Sequence, residues 1–352
     1  MHIAVDGSAL IDRPNSPISL HLAEWLSALH GAGASVTLLT PPGELPPIPV
    51  EISTQAVIPK EGAWSQLKFE QRDLPRAAGE LDADLLLVGE GHAPLASPCP
   101  IATVSSFAGS HRSPSLATKL AFAVGSAGSR GAGARLFPGD LSPASGRTGY
   151  APFVAQAFKD SPQERGDEYV LCYGFNRKDI PLILSAWTFV DGSLGDTVSL
   201  VFIGVDPTVT SQIHSTAVEL GIEASVRTQS DVTYDDLPKL YGGAAAYLGT
   251  EFAADGQPLR WAMAAGVPVV GLKTHNFESV LGGAAYLVPP DDSRSLGAAC
   301  LTVLIQDRVS EPLREKGRER AKDYLDDSAH MPLFELLTGV ASSGKGALEN
   351  GK

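Results

Sequence analysis

Arg177 and Lys178 are adjacent cations standing between the apolar run Tyr169–Tyr173 and the helical pattern Ile180–Val190. A cationic pair between a strand and a helix can balance a phosphate, and a solvated loop pair is the plain alternative. Glu251 follows a second apolar run, Ala244–Leu248, where a carboxylate could accept from a hydroxyl or simply face water. Gly256, Gln257 and Pro258 open a helix, with proline suited to its first turn. The free N–H groups of a helix start can receive a phosphate or a hydroxyl, or only begin the helix. His92, His111 and His275 are isolated, and a lone histidine is more often structural than catalytic. No metal-ligand spacing and no Ser-His-Asp order stands out.

These groups need a scaffold, and composition bounds it. The chain has 352 residues, suited to two domains of about 150 residues each. Its 43% hydrophobic content can bury two cores, and 19% charged residues argue against disorder. A net charge of −13 repels phosphate backbones, so nucleic acid is not an expected partner. Cys99, Cys172 and Cys300 are far apart and form no CxxC pair, so they read as buried thiols in a reducing compartment. The start, Met1-His-Ile-Ala-Val-Asp6, reads as a strand and not as a signal peptide. No apolar run approaches the roughly 18 residues of a membrane span. The expected location is cytoplasmic, with peripheral association at the inner membrane left open, since no strongly basic helix points to it.

The pattern alternates strand and helix. Runs at 2–5, 36–40, 84–88 and 100–104 predict parallel strands, and Ile18–His30 and Phe69–Leu81 predict helices between them. Residues 105–150 are rich in Ser, Gly and Ala; Leu116–Val124 predicts a helix and Gly125–Gly133 a flexible stretch. Gln163–Glu168 is polar enough for a linker. The alternation then restarts with strands near 169–173, 198–203, 224–227, 244–248, 267–272 and 285–288. The expected class is therefore α/β, with two Rossmann-like doubly wound domains facing a cleft. The expected division is residues 1–157, residues 158–340, and a disordered tail over residues 341–352.

An ordered series of motifs adds a family. Asp236-Leu-Pro-Lys-Leu-Tyr241, Gly256–Val270 and Gly282–Asp291 follow one another, after strands that end at Gly174 and Gly204. This series resembles the donor half of retaining glycosyltransferases of family four, glycosyl transferases group 1, which have the GT-B architecture. Ala4–Leu10, Phe69–Pro75 and Pro94–Val104 are similar to the first half of one branch of that family. The resemblance implies transfer of a hexose from a nucleotide-diphosphate sugar to a glycan, lipid or other acceptor, with retention and without a metal or other cofactor. It implies donor contacts at Gly174, Arg177, Lys178, Gly204, Asp255, Gly256, Gln257 and Pro258, with Glu251 as the catalytic carboxylate. The base would meet the backbone of Thr228–Val232.

The chain also departs from that family. The family's second glutamate, which holds the donor ribose, falls on Trp261, and the first falls on Ala253, two residues after Glu251. An indole only donates, so Trp261 cannot replace that carboxylate and is expected to fill its space. The glycine-rich loop after the first strand is Asn15-Ser-Pro-Ile18, and a His-Asp pair is Ser105-Ser106. These departures give the alternative expectation: a non-catalytic pseudo-glycosyltransferase acting as a binding or partner subunit.

Overall fold

Buried apolar runs form the strands of both sheets. In the computed structural model, which describes residues 1–58, 64–107, 116–139, 141, 147–161, 169–325 and 330–350, the chain divides into two compact units. The first comprises Met1–Pro14, Ile18–Pro152 and Ser328–Lys352; the second comprises Asn15–Pro17 and Phe153–Asp327.

The first unit contains a seven-stranded parallel sheet of β1 (His2–Asp6), β2 (Ser35–Thr40), β3 (Ser53–Ala56), β4 (Leu85–Gly89), β5 (Ile101–Val104), β6 (Ala134–Pro138) and β7 (Thr148–Tyr150). Their spatial order is β3-β2-β1-β4-β5-β6-β7. Ile3 to Val5 and Leu85 to Val88 are at most 1% exposed, as strands covered on both faces require. Register pairs Ile3 with Leu85 and Val5 with Leu87. The order reverses direction between β1 and β4, the place where open α/β sheets leave a crevice beyond their carboxyl ends.

The second unit holds a six-stranded parallel sheet of β8 (Tyr169–Cys172), β9 (Ser199–Ile203), β10 (Val226–Gln229), β11 (Ala246–Gly249), β12 (Val269–Leu272) and β13 (Ala285–Val288). Its order, β10-β9-β8-β11-β12-β13, has the same reversal between β8 and β11. The core on one face joins Val170, Leu200, Leu248 and Val270 to Ile183, Trp187, Leu296 and Cys300. All three cysteines are buried, and no disulfide joins them.

Three expectations change. Residues 341–350 do not form a free tail: a helix runs His330–Asn350 and belongs to the first unit, while residues 351–352 lie outside the described residues. Leu333, Leu337 and Ala341, four residues apart, are 1%, 0% and 5% exposed, an apolar stripe that the surrounding Gly and Ser residues obscure in the sequence. The unit boundary falls at Pro152–Phe153 rather than 157–158; the expected linker at 163–168 lies outside the described residues. Gly125–Gly131 is helical, the end of a helix spanning Leu116–Gly131. Its glycines serve close packing: a Cβ at Gly125 would overlap the Gly91 carbonyl oxygen, and one at Gly128 would lie 2.9 Å from the carbonyl carbon of Ala93. The expected Phe69–Leu81 helix is present with a change of winding. Phe69–Asp73 is π-helical between α-helical Ser65–Lys68 and Leu74–Glu80. Pro75 has no N–H to offer the carbonyl one turn back, so the backbone there opens.

Candidate functional site

Gly174 ends β8 with φ +71, a conformation glycine adopts without strain. A Cβ there would lie 2.9 Å from Cβ of Ala253 and 3.5 Å from Cγ of Pro258. Glycine thus lets the segment after β11 close onto the end of β8. Beyond it, the Asn176 side chain accepts from the Lys178 N–H at 3.1 Å and caps a 3-10 turn, Arg177–Asp179, which leads into the helix Ile180–Leu194. The same side chain reaches across the switch point, its Nδ2 donating to Glu251 Oε1 at 3.5 Å. Thr250 Oγ1 donates to Asp179 Oδ2 at 3.2 Å. The two loops that carry the candidate cations and the candidate carboxylate are therefore tied together.

Electrostatics at this point are mixed. Partial loss of solvent around the Glu251 carboxyl raises its pKa above the ordinary value, and the nearby Asp179 pushes the same way; the Asn176 donor and the Lys178 charge oppose them. Arg177 and Lys178 are exposed. Arg177 Nε donates to Gln212 Oε1 on the helix Pro207–Leu220, so its guanidinium leans toward that helix and not toward Glu251.

The segment after Glu251 is unusual. Ala254, Asp255 and Gly256 have φ of +46, +52 and +81, three successive left-handed residues before the helix Gln257–Ala264. Two of them carry a Cβ, at a cost of about 1–2 kcal/mol each. Strain of this kind persists where surrounding structure enforces it, and it clusters at functional sites. Here the enforcing group is Arg260, wholly buried, whose Nη1 donates to the Asp255 carbonyl at 2.8 Å and to Gln257 Oε1 at 3.4 Å. Gln257 Nε2 in turn donates to the Phe153 carbonyl at 2.9 Å. The Gln257 side chain is 2% exposed and committed inside the unit. Sequence reasoning passed over Arg260; an arginine inside an otherwise apolar helix was the available signal.

Trp261 fills space. It is 0% exposed, stacked on Phe158 at 5.7 Å and 2° and on Tyr173 at 6.4 Å and 16°, with Tyr234 and Tyr241 edge-on. Gly204, at the end of β9 with φ +66, donates its N–H to the Gln229 carbonyl at 2.9 Å, and a Cβ there would press within 2.8 Å of the Tyr173 ring.

The structure thus gathers Gly174, Lys178, Glu251, Asp255, Gly256 and Pro258 around the carboxyl ends of β8 and β11, with Gly204 one strand away. His92 lies in the first unit, His275 begins the exposed start of the helix His275–Leu281, and His111 is outside the described residues. Among the described residues no cluster of three or more His, Cys, Asp or Glu side chains is grouped to hold a metal ion. None of their helices is long and apolar enough to cross a membrane.

Comparison with known proteins covers both units. Residues 168–306 match the family Glycosyl transferases group 1. O-antigen chain mannosyltransferase B of Escherichia coli is 31% identical over 103 residues, 29% of this chain and 27% of that relative, so the match spans about a quarter of its length. The crystal structure of WaaG, a glycosyltransferase involved in lipopolysaccharide biosynthesis, superposes with a TM-score of 0.70 at 15% identity, covering 96% of this chain and 100% of that one. Sucrose-phosphate synthase from Thermosynechococcus elongatus gives 0.72 at 15% identity, covering 97% and 100%. Anabaena HepE in complex with UDP and glucose gives 0.70 at 14% identity, covering 96% and 99%. At such identities the structural likeness establishes the fold, and that fold is GT-B.

Proposed function

We propose that this chain, whose residues 168–306 carry the group 1 glycosyltransferase domain, moves a hexose from a nucleotide-diphosphate sugar to a glycan or lipid acceptor, with retention of configuration and without a metal. The observation that carries this reading is the linked pair of loops at the switch point of the second sheet. Asn176 bridges the Arg177–Lys178 turn and Glu251, and the strained turn at 254–256 delivers the start of a helix to the same place. A leaving diphosphate is stabilised by cations and by the N–H groups of a helix start, which is what this arrangement offers. Glu251, with its raised pKa, can exchange hydrogen bonds with sugar hydroxyls in either protonation state. The relative that binds UDP and glucose and the mannosyltransferase relative support a nucleotide-linked hexose as donor.

One observation favours a second reading. The position at which the family holds the donor ribose is Trp261, buried in a cluster of rings and unable to accept a hydrogen bond. On that reading the chain keeps the fold as a binding or partner subunit.

Calorimetric titration with UDP, GDP, ADP and their sugars separates the two. Saturable binding of one diphosphate, weakened about tenfold by Lys178→Ala and less by Arg177→Ala, supports the transferase and names its donor class. Absence of binding at millimolar ligand rejects the donor site and leaves the partner-subunit reading.

A further inference from the structure

Three residues of the loop before the helix Pro17–Gly31 belong to the second unit, although their chain neighbours do not. Asn15, Ser16 and Pro17 stand between Pro14 and Ile18, both of the first unit. This is the loop whose lack of glycine separates the chain from the family it resembles. Proline at 14 and at 17 fixes φ on either side of Asn15 and Ser16, so the segment has few conformations to lose when it seats.

The seat lies across the carboxyl ends of three neighbouring strands, β8, β9 and β10. At the end of β8, Pro17 packs on Gly174, where a Cβ would lie 3.0 Å from Pro17 Cγ. At the end of β9, the Asn15 carbonyl oxygen lies so close to Gly204 that a Cβ there would overlap it. The same carbonyl accepts from the Tyr173 hydroxyl at 3.0 Å. Just past β10, Asn15 Nδ2 donates to the Ser230 carbonyl at 2.6 Å. Gly174 and Gly204 are both left-handed, at φ +71 and +66, which opens the backbone there to close approach. The group that approaches is the chain's own.

What the segment covers is what a nucleotide would use. Ligands of open α/β sheets bind beyond the carboxyl ends of the strands, and strand ends finishing in glycine let a phosphate reach backbone N–H groups. The Ser230 carbonyl accepts hydrogen bonds, and the Tyr173 hydroxyl donates one. A carboxamide carries the same N–H and C=O groups as the amide edge of a nucleobase, and Asn15 presents its N–H to Ser230. The seating is also light. Asn15, Ser16 and Pro17 are each only half-buried, and no large apolar side chain anchors them. A segment held by a few polar contacts opens at small cost. On release, the Tyr173 hydroxyl and the Ser230 carbonyl offer one donor and one acceptor to whatever takes the seat.

We propose that Asn15–Pro17 is an autoinhibitory strap: seated, it closes the ends of β8, β9 and β10 to a nucleoside diphosphate, and binding requires its release. Naming the excluded ligand a nucleoside diphosphate rests on the transferase reading above. The apparent affinity is then the intrinsic affinity reduced to the fraction of molecules whose strap is released.

Calorimetric titration of the full chain and of Asn15→Ala with UDP, GDP and ADP tests this. Asn15→Ala deletes the bond to Ser230 and leaves the backbone path intact, so the affinity for the diphosphate that binds should rise about fivefold. Hydrogen exchange of the wild-type chain gives a second reading that needs no variant. Amides of residues 13–18 should exchange faster at saturating diphosphate, whereas a loop that clasps the ligand would exchange more slowly. Equal or weaker binding by Asn15→Ala, slower exchange of that segment on binding, or no binding by either protein at millimolar ligand overturns the proposal. Lys178→Ala in the same titration keeps the two readings apart. A gain in Asn15→Ala with no loss in Lys178→Ala keeps the strap and rejects the donor site; a loss in Lys178→Ala with no gain in Asn15→Ala keeps the donor site and rejects the strap.

Discussion

Substituting Gly125 by alanine sets local preference against packing. Gly125 lies inside the helix Leu116–Gly131, where alanine is favoured over glycine by about 1 kcal/mol. The added Cβ would overlap the Gly91 carbonyl oxygen and sit 2.6 Å from the carbonyl carbon of Gly91 and 3.0 Å from the His92 Cα. Carbon atoms pack at about 3.5–4.0 Å, so the loop must retreat by about 1 Å. The obstacle is backbone and cannot rotate away. Overpacking costs about 1–3 kcal/mol, and a shift of that size also strains the Gly91–Ser129 and His92–Gly89 hydrogen bonds, worth about 1 kcal/mol each. Set against the helical gain, the net loss is about 2–3 kcal/mol. For a unit of this size the melting temperature should fall by about 5–10 °C. Gly131 in the same helix is the internal control, because a Cβ there meets nothing within 4 Å. Gly131→Ala should gain about 0.5 kcal/mol. Scanning calorimetry of the full chain reads both variants. If Gly125→Ala matches or exceeds the wild type while Gly131→Ala behaves as expected, the helix does not rest on the 91–93 loop and the reasoning fails.

Other consequences are open to direct measurement. Trp261→Ala removes a wholly buried indole from between Phe158 and Tyr173 and should destabilise the second unit by about 3–5 kcal/mol, read by urea unfolding; a loss below about 1 kcal/mol would show that the ring cluster is loosely packed. Gly174→Ala forces a Cβ into a left-handed residue and against Ala253, so it should cost about 2 kcal/mol or more and weaken any diphosphate binding, checked by melting and calorimetry together. The raised pKa of His92 means that its protonated form is bound more tightly in the folded state. That stability is present in full below the ordinary value of 6.5 and is lost as pH rises through the higher folded value. The melting temperature of the first unit should therefore decline as pH rises above 6.5, and His92→Gln should flatten this decline. Asp6, raised by burial, acts with the same sign, its contribution being lost as pH rises from 3.8, so the difference between wild type and His92→Gln is what isolates the histidine.

Much of this was legible in the sequence because a parallel sheet covered on both faces demands unbroken apolar runs. Leu85 to Val88 and Val269 to Leu272 declare themselves as strands in that way. The short strands β3 and β7 did not, because edge positions tolerate Ser, Thr and Gln; β3 is simply Ser53-Thr-Gln-Ala56. The second-unit site was legible as a set of residues after strand ends, since switch-point geometry follows from strand order. Its mechanics were not. The left-handed turn at Ala254 and Asp255 and the buried Arg260 that braces it depend on contacts no local pattern encodes. The same holds for the glycines of the Leu116–Gly131 helix. Alone they signal flexibility; against the 91–94 loop they permit close contact. Residue types and spacing determined the family resemblance, the two parallel sheets and the candidates for phosphate and sugar contacts. Tertiary structure decided which side chains remain available and which are spent on support. Burial and hydrogen-bond partners are set by residues far apart in the chain: Gln257 is taken by Phe153, Trp261 by Phe158, while Glu70, 64 residues after Asp6, keeps one buried oxygen unpaired.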